Sequence, residues 1–299
     1  MIKIQGLSKI FDGRLALEGV DIHVAQGSIY GLVGTNGAGK TTLLKMIGGI
    51  YTAPRHSVTL FGDTNLDALK VKERMQYISD APCFFEQKTL RAASRIFKSF
   101  YPKWNQERYV KLIDGLNLED TSPISKLSKG QKRLGTFCLA LSSMPDLMLM
   151  DEPMDGLDPV MRHQVKNLLV QDVAERGMSI LMSSHNLREL EEFCDTIGIL
   201  HQGKLMFQQD LDQMKAQVHK VHIGFSDAAP ETLTDGLEVL FADMKSRLNL
   251  LVVKGHKDHI LKKLNQFQPE ILDVLPLALE EIFIYEMGDK GYAIENILL

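Results

Sequence analysis

The chain has 299 residues and a mass of 33.6 kDa, enough for a large core and for one or two domains. Its hydrophobic content of 44% and charged content of 24% lie in the ordinary soluble range. A net charge of −4 and a pI near 6.1 argue against a surface built for nucleic acid, so no nucleic-acid partner is expected. Met1–Gln5 lacks the apolar core of a signal peptide, and no run approaches the roughly 20 apolar residues of a membrane span. If the protein works at a membrane, another chain does the spanning. Cys83, Cys138 and Cys194 lie too far apart for a ligand pair and read as small buried side chains in a reducing cytoplasm.

Residues 1 to about 30 alternate in short apolar runs broken by Asp12-Gly13 and Gln26-Gly27, which predicts hairpins, with Phe11 just before the first turn. Next, the apolar run Ile29–Val33 leads into Gly34-Thr35-Asn36-Gly37-Ala38-Gly39-Lys40-Thr41-Thr42 and then Leu43–Ile47. This is strand, glycine loop and helix with the P-loop spacing GxxxxGK[ST]. Glycines let backbone N–H groups face a phosphate, and the helix directs its positive end at the same anion. Lys40 supplies charge for the β- and γ-phosphates, and the Thr41 hydroxyl is placed to ligate Mg²⁺.

Gly48-Gly49 ends that helix, and Ser57–Phe61 predicts a strand closed by Gly62-Asp63. A helix is expected over 66–76 and a strand over Met75–Ser79. From about 88 to 145 the apolar spacing becomes helical, around the aromatic loop Tyr101–Asn105. Leu147–Met150 and Met178–Met182 read as buried strands separated by a helix over 159–175, the pattern of a parallel sheet. A helical connection is expected from Leu205 to 217. Beyond it the pattern resets to a small α+β unit: a strand from Val221, a hairpin of Leu237–Phe241 and Leu248–Val253 around Lys245-Ser246, a helix from Ile260, a strand Ile271–Leu275 and a helix Leu277–Met287. The predicted domains are 1–217, with the helical subdomain at about 88–145, and 218–299.

Two further elements carry chemistry. Leu147–Met150 runs into Asp151-Glu152-Pro153, which puts paired carboxylates at the sheet's carboxyl edge, where α/β proteins bind ligands. Asp151 would hold Mg²⁺ and leave Glu152 free to polarise the attacking water. Leu127-Ser128-Lys129-Gly130-Gln131 opens a helix as a capping box and makes a second anion-binding N-terminus.

Together with Gly156-Leu157-Asp158 and Ser183-Ser184-His185, these stretches follow the order and spacing of an ABC-type ATPase, which the chain resembles over residues 1–215. The resemblance implies an α/β fold: a P-loop NTPase core with a helical subdomain and a small C-terminal α+β domain. It implies ATP and Mg²⁺, with Phe11 stacking on adenine and Gly34, Asn36, Gly37, Gly39, Lys40, Thr41 and Thr42 binding phosphate. Asp151 supports the metal, Glu152 is the catalytic base, and His185 senses the γ-phosphate alongside Lys40. Ser128, Gly130 and Gln131 would cover ATP held by a second copy in a head-to-tail dimer, with Asp158 at the facing interface. Two positions depart from the pattern. Lys129 replaces a glycine of LSGGQ, and Asp80 stands where the Q-loop glutamine ligates the metal, unless Gln87 does so in an offset register. Tyr101-Pro102-x-Trp104 and Leu275-Pro276-Leu277-x-Leu279-Glu280-Glu281-Ile282-Phe283 are similar to ATPases of bacterial ABC-2-type exporters, such as the bacitracin-resistance, Ytr-like and phenol-soluble-modulin groups. That likeness implies a peripheral protein on the cytoplasmic face of the cell membrane, with a multispan permease docking near Asp80–Glu86.

Overall fold

The computed structural model describes residues 1–80, 88–244 and 247–289, with residues 286–289 as backbone alone. In chain order its elements begin with β1 (Ile2–Phe11), β2 (Arg14–Val24), β3 (Ile29–Val33), α1 (Lys40–Ile47), β4 (Val58–Leu60), α2 (Leu69–Lys72) and β5 (Met75–Ile78). The helical stretch follows as α3 (Leu90–Phe100), α4 (Gln106–Gly115) and α5 (Lys129–Ser142). Then come β6 (Leu147–Asp151), α6 (Pro159–Arg176), β7 (Ser179–Ser184), α7 (Leu187–Glu191), β8 (Thr196–His201) and β9 (Lys204–Asp210). Last are α8 (Leu211–Gln217), β10 (Val218–Gly224), β11 (Glu238–Asp243), β12 (Leu248–Lys254), α9 (Lys257–Asn265), β13 (Ile271–Leu275) and α10 (Leu279–Asp289). Two compact units emerge: Met1–His185 with Phe193–Gln208, and Asn186–Glu192 with Gln209–Leu299.

The first unit holds two sheets. β2-β1-β4 is antiparallel, and β5-β6-β7-β3-β8-β9 is a second sheet in which β5, β6, β7, β3 and β8 run parallel. Every residue of β3, β6 and β7 is buried, as expected of strands covered on both faces. Of the two expected hairpins only the first forms. Asp12 and Gly13, both with positive φ, return β1 into β2, whereas Gly27 passes the chain from one sheet to the other. The ladders then fix the functional edge: Val33 lies opposite Ser184, and Asp151 opposite Ser183. The carboxyl ends of β3, β6 and β7 therefore open side by side.

The helix expected over 66–76 is a single turn, α2. Asp63 and Asn65 accept backbone N–H groups of Asn65 and Asp67, and those Asx turns hold 63–67 out of the helix. The helix expected over 205–217 is strand β9 followed by the short α8, because Gln202 and Gly203 at φ +46° and +81° turn β8 back on itself. Trp104 packs with Phe97 and Tyr109, and Tyr101 with Phe97, so the aromatic loop closes a small local cluster. Burial pushes the Cys138 thiol up to about 12 and raises that of Cys194 as well, which leaves both as inert core thiols.

The second unit contains a four-stranded antiparallel sheet, β11-β12-β10-β13, whose Val221, Ile223, Leu251 and Val253 pack with Ile260 and Leu264 of α9. Lys220 hydrogen-bonds Glu281 at 2.7 Å and holds its carboxyl below the usual range. Glu191 of α7 accepts the Leu279 N–H that opens α10. Cys83, Gln87, Lys245, Ser246 and most of the docking stretch expected at Asp80–Glu86 lie outside the described residues.

Candidate functional site

The glycine loop takes its shape from contacts that only glycine permits. A Cβ on Gly34 would lie 2.3 Å from the Leu200 carbonyl oxygen, and one on Gly39 2.8 Å from that of Ala16. Gly37 and Gly39 adopt φ +81° and +107°, the left-handed region that suits glycine. The loop ends at α1, so the helix's unsatisfied N–H groups face the same space. Lys40 is buried, and its ammonium donates to Gly34 O at 2.5 Å and Thr35 O at 3.3 Å.

A cavity of about 250 Å³ opens there, lined by Thr35, Asn36, Gly37, Gly39, Lys40, Thr41, Thr42, Asp80, Glu152 and Ala16. Glu152 connects its chemistry: Oε1 lies 3.3 Å from Lys40 Nζ, and Oε2 is 2.9 Å from His185 Nδ1 and 3.3 Å from the His185 backbone N. Just behind, buried Asp151 accepts the Ser183 hydroxyl at 2.6 Å, and Ser183 Oγ in turn accepts the Glu152 N–H at 3.0 Å. Asp80 is held from the other side. Arg133, 1% exposed, donates to Ser79 O at 2.6 Å and to Asp80 O. Burial lowers the Arg133 pKa, opposed by the charges of Asp155, Asp80 and Asp151.

The donor set fits a triphosphate with a hard cation. A cation and helix N–H groups converge at the cradle, while Thr41 and Asp80 bring oxygen ligands to its wall with the Asp151 carboxylate behind. A carboxylate at Asp80 is a suitable oxygen ligand for Mg²⁺.

Besides Asp151 and His185, six expected site residues do not line this cavity. Ser128 and Gln131 form the reciprocal capping box of α5, with bonds of 3.1 and 2.9 Å. Gly130 is buried, and a Cβ there would meet Met161 Sδ at 3.1 Å and Gly156 O at 3.3 Å. Lys129 lays its methylenes against Gly156, where a Cβ would come within 2.9 Å of them. Asp158 caps α6 through the Met161 N–H. Phe11 stands at the β1–β2 tip, 38% exposed. Gly34 lies buried beneath the loop.

Arg133 and Ala16 carry no role in the sequence reading, and Ser183 appears only as part of a motif. Arg133 leaves a trace there, a charge on the helix face that carries Leu134, Phe137, Cys138 and Leu141. Ala16 leaves none.

Comparison with known proteins places these features in a family. The family described as ABC transporter matches residues 17–155. The chain is 31% identical over 290 residues to the ABC transporter ATP-binding protein YtrB of Bacillus subtilis, covering 97% of this chain and 99% of that one. It is 30% identical to the bacitracin transport ATP-binding protein BcrA of Bacillus licheniformis over 94% of each. Among solved structures, an ATP-binding subunit of an ABC transporter superposes with a TM-score of 0.67 at 29% identity, over 72% of this chain and 92% of that one. A dimeric ATP-binding cassette in a post-hydrolysis state with ADP and Pi shares the fold at a TM-score of 0.64 and 20% identity, over 71% and 99%.

Proposed function

The chain belongs to the ATP-binding proteins of ABC transporters and is an ATPase that binds ATP; we propose that it powers a membrane exporter of peptides or other amphipathic compounds. The likeness to a bacitracin transport protein along nearly the whole chain supports the cargo class. The likeness to transporter ATP-binding proteins supports, as part of the proposal, a multispan permease that seats the protein on the cytoplasmic face; no helix among the described residues is long and apolar enough to cross a membrane.

In the proposed mechanism Lys40 exchanges its bonds to Gly34 O, Thr35 O and Glu152 for the β- and γ-phosphate oxygens. Mg²⁺, held by Thr41, Asp80 and Asp151, would neutralise charge building on those oxygens. Glu152, freed from Lys40 but still steered by His185, orients the attacking water and takes its proton. Phe11 stacks on the adenine. Ser128, Gly130 and Gln131 of a second copy cover the γ-phosphate, with Asp158 beside them. Copies of one chain meeting through the same surfaces make a C2 pair with two equivalent sites.

The observation that carries this reading is the position of Glu152, between Lys40 and His185 on the cavity wall. Replacing it with glutamine keeps the shape and removes the base. Glu152→Gln is expected to bind ATP as the wild type does while turnover falls by about 10²–10⁴-fold; wild-type turnover refutes the assignment. Copurification with a multispan protein that raises the ATPase rate separates an exporter subunit from a soluble regulatory ATPase.

A further inference from the structure

Phe11 ends β1 at a two-residue turn, so its ring stands on a hairpin tip. Hairpin tips fray unless something outside them holds them. This one carries three exposed apolar side chains, Ile10, Phe11 and Leu15, and Ala16, next to Leu15 on β2, already lines the phosphate cavity. Tyr51 meets the Phe11 ring edge to face, with centroids 5.3 Å apart and planes at 68°. The Lys9 ammonium lies 5.2 Å from the Phe11 centroid and donates to Thr52 O at 3.1 Å, which fastens β1 to the segment carrying Tyr51. The Lys45 ammonium sits 5.5 Å from the Tyr51 centroid.

The place of Tyr51 is itself fixed by α1. Gly49 turns the chain at φ +65°, and the N–H groups of Ile50 and Tyr51 both return to Lys45 O, at 2.8 and 3.1 Å. One helix of eight residues, about 12 Å long at 1.5 Å per residue, thus presents phosphate donors at its N-terminus and an aromatic brace beyond its C-terminus.

We propose that Tyr51 is a positioning residue for the base end of ATP: it holds the Phe11 ring edge-on so that the exposed part of that ring stacks on adenine. The proposal rests on Phe11 being the base platform. It extends that reading by making the platform's orientation depend on the P-loop helix.

Calorimetric titration of the full chain with ATP and with inorganic triphosphate, which has no base, tests it. Phe11→Ala and Tyr51→Ala are each expected to weaken ATP about two- to tenfold, the range of an aromatic contact. The double variant should do little worse than either single one, because the two rings act as a unit. Triphosphate affinity should stay constant throughout. Tyr51→Phe, which keeps the edge and loses only the hydroxyl, should restore ATP affinity, and Tyr51→Ala should raise KM with kcat held. Wild-type ATP binding by Tyr51→Ala beside a damaged Phe11→Ala overturns the brace alone. Equal weakening of ATP and triphosphate by Tyr51→Ala reduces Tyr51 to general packing and also overturns it. Undiminished ATP binding by Phe11→Ala overturns the platform, and the brace with it.

Discussion

Glu152 has left-handed backbone, φ +45°, a region that costs a non-glycine residue about 1–3 kcal/mol. Three contacts hold it there: its N–H to Ser183 Oγ, and its two carboxylate oxygens to Lys40 and His185. The Ser183 hydroxyl also satisfies Asp151, which is 2% exposed. Ser183→Ala therefore leaves a buried carboxylate short of a donor and unpins the Glu152 backbone. Stability should fall by about 1–3 kcal/mol, read from the denaturant midpoint, and single-turnover hydrolysis should slow while ATP affinity holds. This contact was not legible in advance. The Ser183-Ser184-His185 motif and the Asp151-Glu152 pair both stand out in the sequence. That Ser183 faces Asp151 follows from the β6–β7 register, which two strands buried at every residue leave unspecified.

At the scale of elements, long periodic segments were legible and local turn chemistry was not. The helix over 159–176 announces itself by an Asp158 cap, Pro159 at its first position and a left-handed Gly177 at its end. By contrast, the Asx turns at Asp63 and Asn65 and the tight β8–β9 turn at Gln202-Gly203 overrode apolar spacing that suits a helix. Ion pairing across elements was equally invisible. Asp172 of α6, 1% exposed, joins Arg108 of α4 and Arg176 of its own helix. The helical segment is thereby clamped to the C-terminal half of α6. Removing the carboxylate strands two guanidinium groups, each already with a buried unpartnered Nε. Asp172→Ala should cost about 3–5 kcal/mol, and Asp172→Asn less because it keeps shape and acceptor, both measurable by denaturant unfolding.

At the scale of the whole molecule, the residues expected to bind one ATP are divided. Lys40, Thr41, Asp80 and Glu152 gather on one cavity, whereas Ser128, Gly130 and Gln131 sit at the start of α5 against Gly156 and Met161. The motifs were legible in the residues themselves; their division between two copies came only from the family resemblance, because spacing along a chain says nothing of which copy a turn serves. If the signature turn of each copy completes the site of the other, two different inactive variants should rescue one another. Ser128→Asp suits the test, since aspartate is as good a helix cap as serine and α5 should stay folded, while its charge repels a γ-phosphate. Glu152→Gln is the natural mate, because ATP binding survives in it. In an equal mixture half of the pairs are mixed, and each mixed pair contains one site with Glu152 from one copy and Ser128 from the other. Activity should return to roughly a quarter of wild type, as expected when the two sites of a C2 pair work independently. It should fade on dilution as the pairs come apart. A site built within one chain gives no recovery at any concentration, since each variant then carries its own defect into every site it makes.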